Sequence, residues 1–167
     1  MKIIQKKICL LGGFAVGKTS LVRRFIEERF DDKYLSTIGV KISRKSIQRD
    51  DCLLKLLIWD LAGGEDFSAY ESSYLQGAAG ALIVYDLVRP DTIEEVVTYA
   101  DSLRGSNPGA RIVVAANKID LVEERAAAEA ELLTLARQLE APVFLTSAKS
   151  GENVQACLTA LAELTLQ

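Results

Sequence analysis

Near its N-terminus the chain reads as strand, glycine-rich loop and helix in direct succession, and that unit admits few folds. Lys7-Ile8-Cys9-Leu10-Leu11 is a short apolar run, and Gly12-Gly13-Phe14-Ala15-Val16-Gly17-Lys18-Thr19 follows it. Lys18 to Glu28 then places Leu21, Val22, Phe25 and Ile26 at helical spacing. Further on, Gly39 to Gln48 and Cys52 to Trp59 read as strands joined by the polar turn Gln48-Arg49-Asp50-Asp51, an antiparallel hairpin. Three more apolar runs, Ala81 to Tyr85, Ile112 to Ala116 and Val143 to Leu145, each precede a helical stretch, near Ile93 to Leu103, Ala126 to Leu139 and Val154 to Leu164. Strands alternating with helices predict an α/β domain covering residues 1–167. The expected architecture is a six-stranded, mostly parallel sheet with one antiparallel edge hairpin and helices on both faces. Ligands of such sheets sit outside the carboxyl ends of the strands, where the loops at 12–18, 60–66, 117–120 and 146–149 would converge.

Composition narrows the partners. With 49% hydrophobic residues the chain can bury a full core, and a net charge of −3 without a basic run argues against nucleic acid or an anionic membrane surface. Cys9, Cys52 and Cys157 are odd in number and lack C-x-x-C spacing, so neither a disulfide framework nor a zinc site is expected, and a cytoplasmic location fits. Met1 to Lys7 carries no signal-peptide core, and Leu164 to Gln167 carries no cysteine to prenylate, so no lipid anchor is expected.

The segment Gly12 to Thr19 fits G-x-x-x-x-G-K-[ST], in which backbone N–H groups and a helix N-terminus attract phosphate whatever base is attached. Lys18 can reach the β- and γ-phosphates and the Thr19 hydroxyl can bind Mg²⁺. Asp60-Leu61-Ala62-Gly63 puts a carboxylate at a strand end near that metal, with a Gly63 N–H available to the γ-phosphate. Asn117-Lys118-Ile119-Asp120 follows the strand ending at Ala116, and its aspartate can accept both guanine N1–H and the 2-amino group. Adenine lacks those donors and would leave a carboxylate unpaired, so GTP and GDP are the expected ligands. Thr146-Ser147-Ala148-Lys149 could offer the Ala148 N–H to guanine O6. Each string also has a structural reading: a strand-to-helix turn, a D-x-x-G turn, or a polar turn whose aspartate caps a helix. Their order along one sheet edge favours the nucleotide.

With these motifs the chain resembles, along nearly its whole length, the Ras superfamily of small GTPases, most closely the Rab-like branch and its stand-alone bacterial members. The resemblance implies a P-loop NTPase G domain. It implies a nucleotide shell of Gly12, Phe14, Ala15, Val16, Gly17, Lys18, Thr19 and Ser20, then Phe30 packed on guanine, Tyr34, Thr37 and Gly63. Asn117, Lys118, Asp120, Ser147, Ala148 and Lys149 complete that shell. Thr19, Thr37 and Asp60 are the implied Mg²⁺ ligands, and Lys18, Thr37, Gly63 and Gly64 stand where catalysis occurs.

Two residues depart from the family pattern. Gly64 stands where a glutamine usually orients the attacking water, which predicts slow intrinsic hydrolysis and a partner that completes the site, with Glu65 and Asp66 as local substitutes. Phe14 brings an aromatic ring to a point of the phosphate loop where many relatives are small; it either obstructs an arginine delivered in trans or points outward onto a switch segment. Effectors would meet Ile42, Trp59 and Tyr74, thickened by Phe67, Tyr70 and Leu75, unless these aromatics simply pack the hairpin on a neighbouring helix. Ordering by the γ-phosphate through Thr37 and Gly63 would make that surface nucleotide-dependent, with exchange and activating proteins as further partners. A GTP-loaded scaffold with negligible hydrolysis is the alternative, on the evidence of Gly64 and Phe14. A P-loop kinase or ATPase is disfavoured by Asn117 to Asp120.

Overall fold

A computed structural model describes residues 1–26, 33–35 (as backbone), 39–61 and 67–167. The chain runs β1 (Lys2–Leu11), α1 (Lys18–Ile26), β2 (Lys33–Leu35), β3 (Val40–Gln48), β4 (Cys52–Leu61) and α2 (Phe67–Leu75). It continues β5 (Ala78–Asp86), α3 (Asp91–Ser106), β6 (Arg111–Asn117), α4 (Arg125–Leu139), β7 (Val143–Leu145) and α5 (Val154–Leu164).

The strands form one sheet in the order β2-β3-β4-β1-β5-β6-β7. From β4 to β7 all pairings are parallel, whereas β3 pairs antiparallel with β4 and β2 with β3. The six expected strands and their edge hairpin are therefore present, and the three-residue β2 extends the antiparallel edge by one more strand. β1 starts earlier than its apolar run, because Lys2 to Lys7 pair in parallel with Cys52 to Leu57 of β4 and backbone hydrogen bonding outweighs their polar side chains. α2 carries no expectation from the sequence. Ser68, Ser72 and Ser73 are weak helix formers, and burial of Tyr74 and Leu75 holds the helix instead.

Alternation along the central strands sends side chains to two cores. Cys9 and Leu11, Ala81, Ile83 and Tyr85, and Val114 and Ala116 face α2, α3 and α4. Ile8 and Leu10, Leu82 and Val84, and Val113 and Ala115 face α1 and α5, where Leu21, Phe25, Leu158 and Leu161 meet them. Both faces being covered explains why β5 and β6 read as continuous apolar runs rather than as alternating ones. β1 lies between β4 and β5, so the chain leaves β1 towards one side of the sheet and returns on the other. The crevice at that reversal lies at the carboxyl ends of the strands, where the motif loops start.

Candidate functional site

At that crevice the loop after β1 passes into α1, whose first turn closes with Leu21 N–H donating to Gly17 O at 2.9 Å. The loop is fixed through its carbonyls. Lys18 Nζ donates to Gly12 O (3.0 Å) and reaches Gly13 O (3.4 Å), Lys118 Nζ donates to Ala15 O (3.0 Å), and Asn117 Nδ2 donates to Val16 O (2.9 Å). Arg89 Nη2 donates to Phe14 O. Trans peptide planes set N–H opposite C=O, so anchoring these carbonyls outward turns the intervening N–H groups to the other side, where they could hold an anion.

The glycines serve the protein's own packing. At Gly17, with φ of +107°, an added Cβ would lie 2.2 Å from Asn117 Nδ2, and at Gly12 it would lie 2.5 Å from Val84 O. Their expected role of letting the loop approach phosphates is thus joined by a contact requirement within the fold. Ala15 and Lys118 sit at φ of 59° and 73°, a strained region for side-chain-bearing residues that clusters at binding sites.

Thr19 donates its hydroxyl to Asp60 Oδ2 at 2.5 Å, while Asp60 Oδ1 is buried without a hydrogen-bond partner among the described residues. Burial pushes the Asp60 carboxyl up in pKa, opposed by the Thr19 hydroxyl and by the Lys18 and Lys41 charges. Lys18 is pulled down by burial and held up in part by Asp60 and Glu95. The Thr19 hydroxyl and the Asp60 carboxylate, one of whose oxygens is unpaired, form a hard oxygen donor set that fits Mg²⁺ and its waters.

On the base side, Asn117 is buried and accepts the Thr146 hydroxyl on Oδ1 (3.1 Å), so it ties the loop after β7 to the phosphate loop. Lys118 ion-pairs with Asp86 at 2.9 Å. Asp120 is exposed and accepts the Ser147 hydroxyl on Oδ1 at 2.6 Å, which aims the carboxylate and leaves its other oxygen open. Ala148 is half-buried, while Ser20 and Lys149 are exposed. A cleft of about 820 Å³ runs from Gly12 and Lys18 past Phe67 and Tyr99 to Lys118, within the range of small-molecule sites.

Phe30, Thr37, Gly63 and Gly64, together with Glu65 and Asp66, lie outside the described residues, and Tyr34 is placed by backbone only, opposite Lys41 in the β2–β3 pair. Phe14 is 69% exposed and stands among the residues that line the cleft. Tyr74 requires a correction as an effector-contact residue. It is fully buried, its hydroxyl is shared between Leu10 O (2.9 Å) and Trp59 O (2.5 Å), and its ring meets Trp59 and Phe67 edge-on. Leu75 is buried too, whereas Ile42 and Trp59, paired across β3 and β4, stay half-buried, as do Phe67 and Tyr70.

Sequence reasoning missed the loop after β5. Asp86 ends that strand as Asp60 stands one residue before the end of β4, is buried, and receives Lys118, Arg89 Nε (3.1 Å) and Val88 N–H (2.9 Å). The Thr92 hydroxyl closes the loop by accepting Asp86 N–H at 2.9 Å and donating to Arg89 O at 2.7 Å. An acidic residue closing an apolar parallel strand was the available signal. Glu95 of α3 was missed as well: its Oε2 is buried without a partner among the described residues, and a Cβ on Gly13 would lie 2.2 Å from it.

Comparison with known proteins adds a family. Residues 7–167 match the model of the Ras family. The chain is 38% identical to human Ras-related protein Rab-22A over 155 residues, covering 92% of this chain and 80% of that protein. It is 39% identical to the GTP-binding protein ypt5 of Schizosaccharomyces pombe over 163 residues (96% and 77%), and 38% identical to Ras-related protein RABD1 of Arabidopsis thaliana over 160 residues (95% and 78%).

Proposed function

Because the chain belongs to the Ras family, in the Rab-like branch of small GTP-binding switch proteins, we propose that it is a Mg²⁺-dependent GTPase whose own turnover is slow and whose catalytic site a partner completes. One observation carries the nucleotide assignment: the Asn117 side chain joins the phosphate loop at Val16 to the base-side loop at Thr146, so both halves of one ligand site form a single hydrogen-bonded unit.

In this reading the loop N–H groups and Lys18 hold the β- and γ-phosphates, and Asp120, aimed by Ser147, accepts guanine N1–H and the 2-amino group. Ala148 N–H serves guanine O6, and Lys118 lies along the nucleotide between loop and base. Thr19, Thr37 and, through water, Asp60 would hold Mg²⁺, which when bound neutralises charge on the phosphate oxygens. Thr37 and Gly63 would be held by the γ-phosphate and released after its loss, so the surface near Ile42 and Trp59 presents a different face to partners in each state. Gly64 has no side chain to orient water, so hydrolysis proceeds slowly.

Phe14 favours a second reading, a GTP-loaded scaffold with negligible turnover, since an exposed aromatic ring at the phosphate cleft would obstruct an arginine delivered by a partner.

Single-turnover hydrolysis of preloaded GTP decides between them. Slow turnover that stops on chelation of Mg²⁺ and rises about tenfold or more in Gly64→Gln supports the switch. GTP that stays bound and intact in both proteins supports the scaffold, and displacement of GTP by equimolar ATP would remove the guanine assignment from both.

A further inference from the structure

β4 reads Cys-Leu-Leu-Lys-Leu-Leu-Ile-Trp-Asp-Leu, the near-continuous apolar run of a strand covered on both faces. One of those faces is met by helices: Leu54, Leu56 and Ile58 are buried in the core shared with α1 and α5. On the other face Leu53 and Leu57 are half-buried and, among the described residues, join neither core. The helices of that side, α3 and α4, pack over β5 to β7 instead.

Register fixes what surrounds the two leucines. Leu57 lies between Arg44 of β3 and Lys7 of β1, Lys55 lies between Ser46 and Gln5, and Leu53 lies between Gln48 and Ile3. Paired residues share a face, so Ile3, which is 60% exposed, extends the leucine stripe sideways. The same face carries three cations, Arg44, Lys55 and Lys7, and no acid, on a chain whose net charge is −3. Lys7 is partly engaged, with Nζ donating to Gln76 O at 2.7 Å and standing 3.6 Å from the Trp59 ring centroid. Arg44 and Lys55 are exposed and make no ion pair among the described residues.

β4 is hydrogen-bonded to β1 on one edge and to β3 on the other, so a segment lying over the stripe cannot join the sheet and must satisfy its own backbone. An α-helix does so. From Leu53 to Trp59 the strand covers roughly 20 Å at about 3.3 Å per residue, the length of a helix of about 13 residues. We infer that the open face of β3, β4 and β1 docks an acidic amphipathic helix of a partner protein, its apolar side on Ile3, Leu53 and Leu57 and its carboxylates on Arg44 and Lys55. A second copy of this face is a poor occupant, because it would set cations against cations. Three cations also fall short of the clusters of about four to eight that mark a site for anionic lipid. The surface adjoins Ile42 and Trp59 but runs away from the nucleotide: Leu53 stands near the start of β4, roughly 26 Å from its crevice end at about 3.3 Å per residue. Docking is therefore independent of the γ-phosphate.

Trp59 is the one tryptophan of the chain and borders the stripe, so its fluorescence reports occupancy. The full chain, loaded with GDP or with a non-hydrolysable GTP analogue, is titrated with a synthetic helical peptide of about 13 residues carrying a leucine stripe flanked by glutamates. A twin peptide with lysines in place of the glutamates is the control. The expected result is binding of the glutamate peptide about tenfold or more tighter than its twin, within about threefold between the two nucleotide states. Arg44→Glu combined with Lys55→Glu should reverse that preference while the melting temperature is retained. Equal binding of the two peptides, or of neither, would overturn the inference, as would a preference that the double substitution leaves unchanged. Binding confined to the GTP-analogue form would assign the contact to the surface near Ile42 and Trp59 and overturn it too. Vesicles containing phosphatidylserine and a sedimentation run of the parent chain test the remaining occupants. A fluorescence change with vesicles and with neither peptide, or self-association abolished by the double substitution, would give the face to a membrane or to a second copy instead.

Discussion

Replacing Asp86 by asparagine tests whether a single carboxylate couples the base-reading loop to the phosphate loop. Asp86 is 1% exposed and its Oδ2 receives both Lys118 and Arg89. Removing one partner of a fully buried pair costs about 3–5 kcal/mol. Here Lys118 and Arg89 keep 32% and 38% of their side-chain surface in water, so screening reduces the expected loss to roughly 1–2 kcal/mol. A domain of this size then melts about 2–8 °C lower at pH 7. The effect depends on pH in a defined direction. Burial alone would raise the Asp86 pKa, but the bonds from Lys118, Val88 N–H and Arg89 outweigh it and the carboxyl titrates below its usual value. A depressed folded-state pKa contributes stability that is fully present above the unfolded value of about 3.9 and disappears as pH falls through the lower folded value. Melting curves of both proteins with saturating GDP should therefore converge between neutral pH and the acid limit. A cycle with Lys118→Met should show coupling above about 0.5 kcal/mol. A pH-independent difference, or additive single substitutions, would refute the ion-pair account and leave a packing effect.

Three further outcomes follow from the site and the core. Asp120→Asn removes the carboxylate that Ser147 aims and should weaken GTP about tenfold or more without improving ATP, as read by competition binding. Gly17→Ala places a Cβ 2.2 Å from the Asn117 amide at a φ of +107°, and should abolish nucleotide binding or lower the melting temperature more than any surface change, checked by calorimetry. Tyr74→Phe deletes a buried hydroxyl that serves Leu10 O and Trp59 O, and should cost about 1–3 kcal/mol in denaturant titration while leaving GDP affinity unchanged. Loss of GDP affinity in that variant would mean that Tyr74 shapes the site as well as the core.

The parts of this molecule legible in its sequence are those whose function needs neighbouring residues. The phosphate loop needs Gly17, Lys18 and Thr19 in one turn, and the base-reading loop needs Asn117, Lys118 and Asp120 within four positions, so contiguous strings announce both. The central strands are legible for a related reason, since burial on both faces makes Ala81–Tyr85 and Ile112–Ala116 uniformly apolar. Arg89 acts alone, reaching the Phe14 carbonyl 75 residues away, and no local pattern distinguishes it from a surface arginine, while Asp86 carries only the faint signal of an acid closing an apolar strand. Tyr74 misleads for the opposite reason. An aromatic at helical spacing fits a contact surface and a core equally well, and only the two carbonyls waiting for its hydroxyl decide for the core.

On the proposed reading, Gly64 belongs to turnover while most of the nucleotide contacts belong to the motif loops. The donors that fix the phosphate loop come from α1, from the loop after β5, from the end of β6 and from the residue after it. Carbonyls anchored in this way orient the loop N–H groups before any anion arrives, so little ordering has to accompany binding. The residues that would order water and sense the γ-phosphate, Thr37, Gly63 and Gly64, lie on other segments of the sequence. Exchanging Gly64 for another residue can therefore alter the rate of hydrolysis with little change in nucleotide affinity, whereas disturbing Asp86 or Asn117 must alter affinity first. On the proposed reading, a chain that binds GTP firmly yet hydrolyses it slowly needs no defect in its binding site, because Gly64 enters turnover alone while Lys18 and Thr37 serve both.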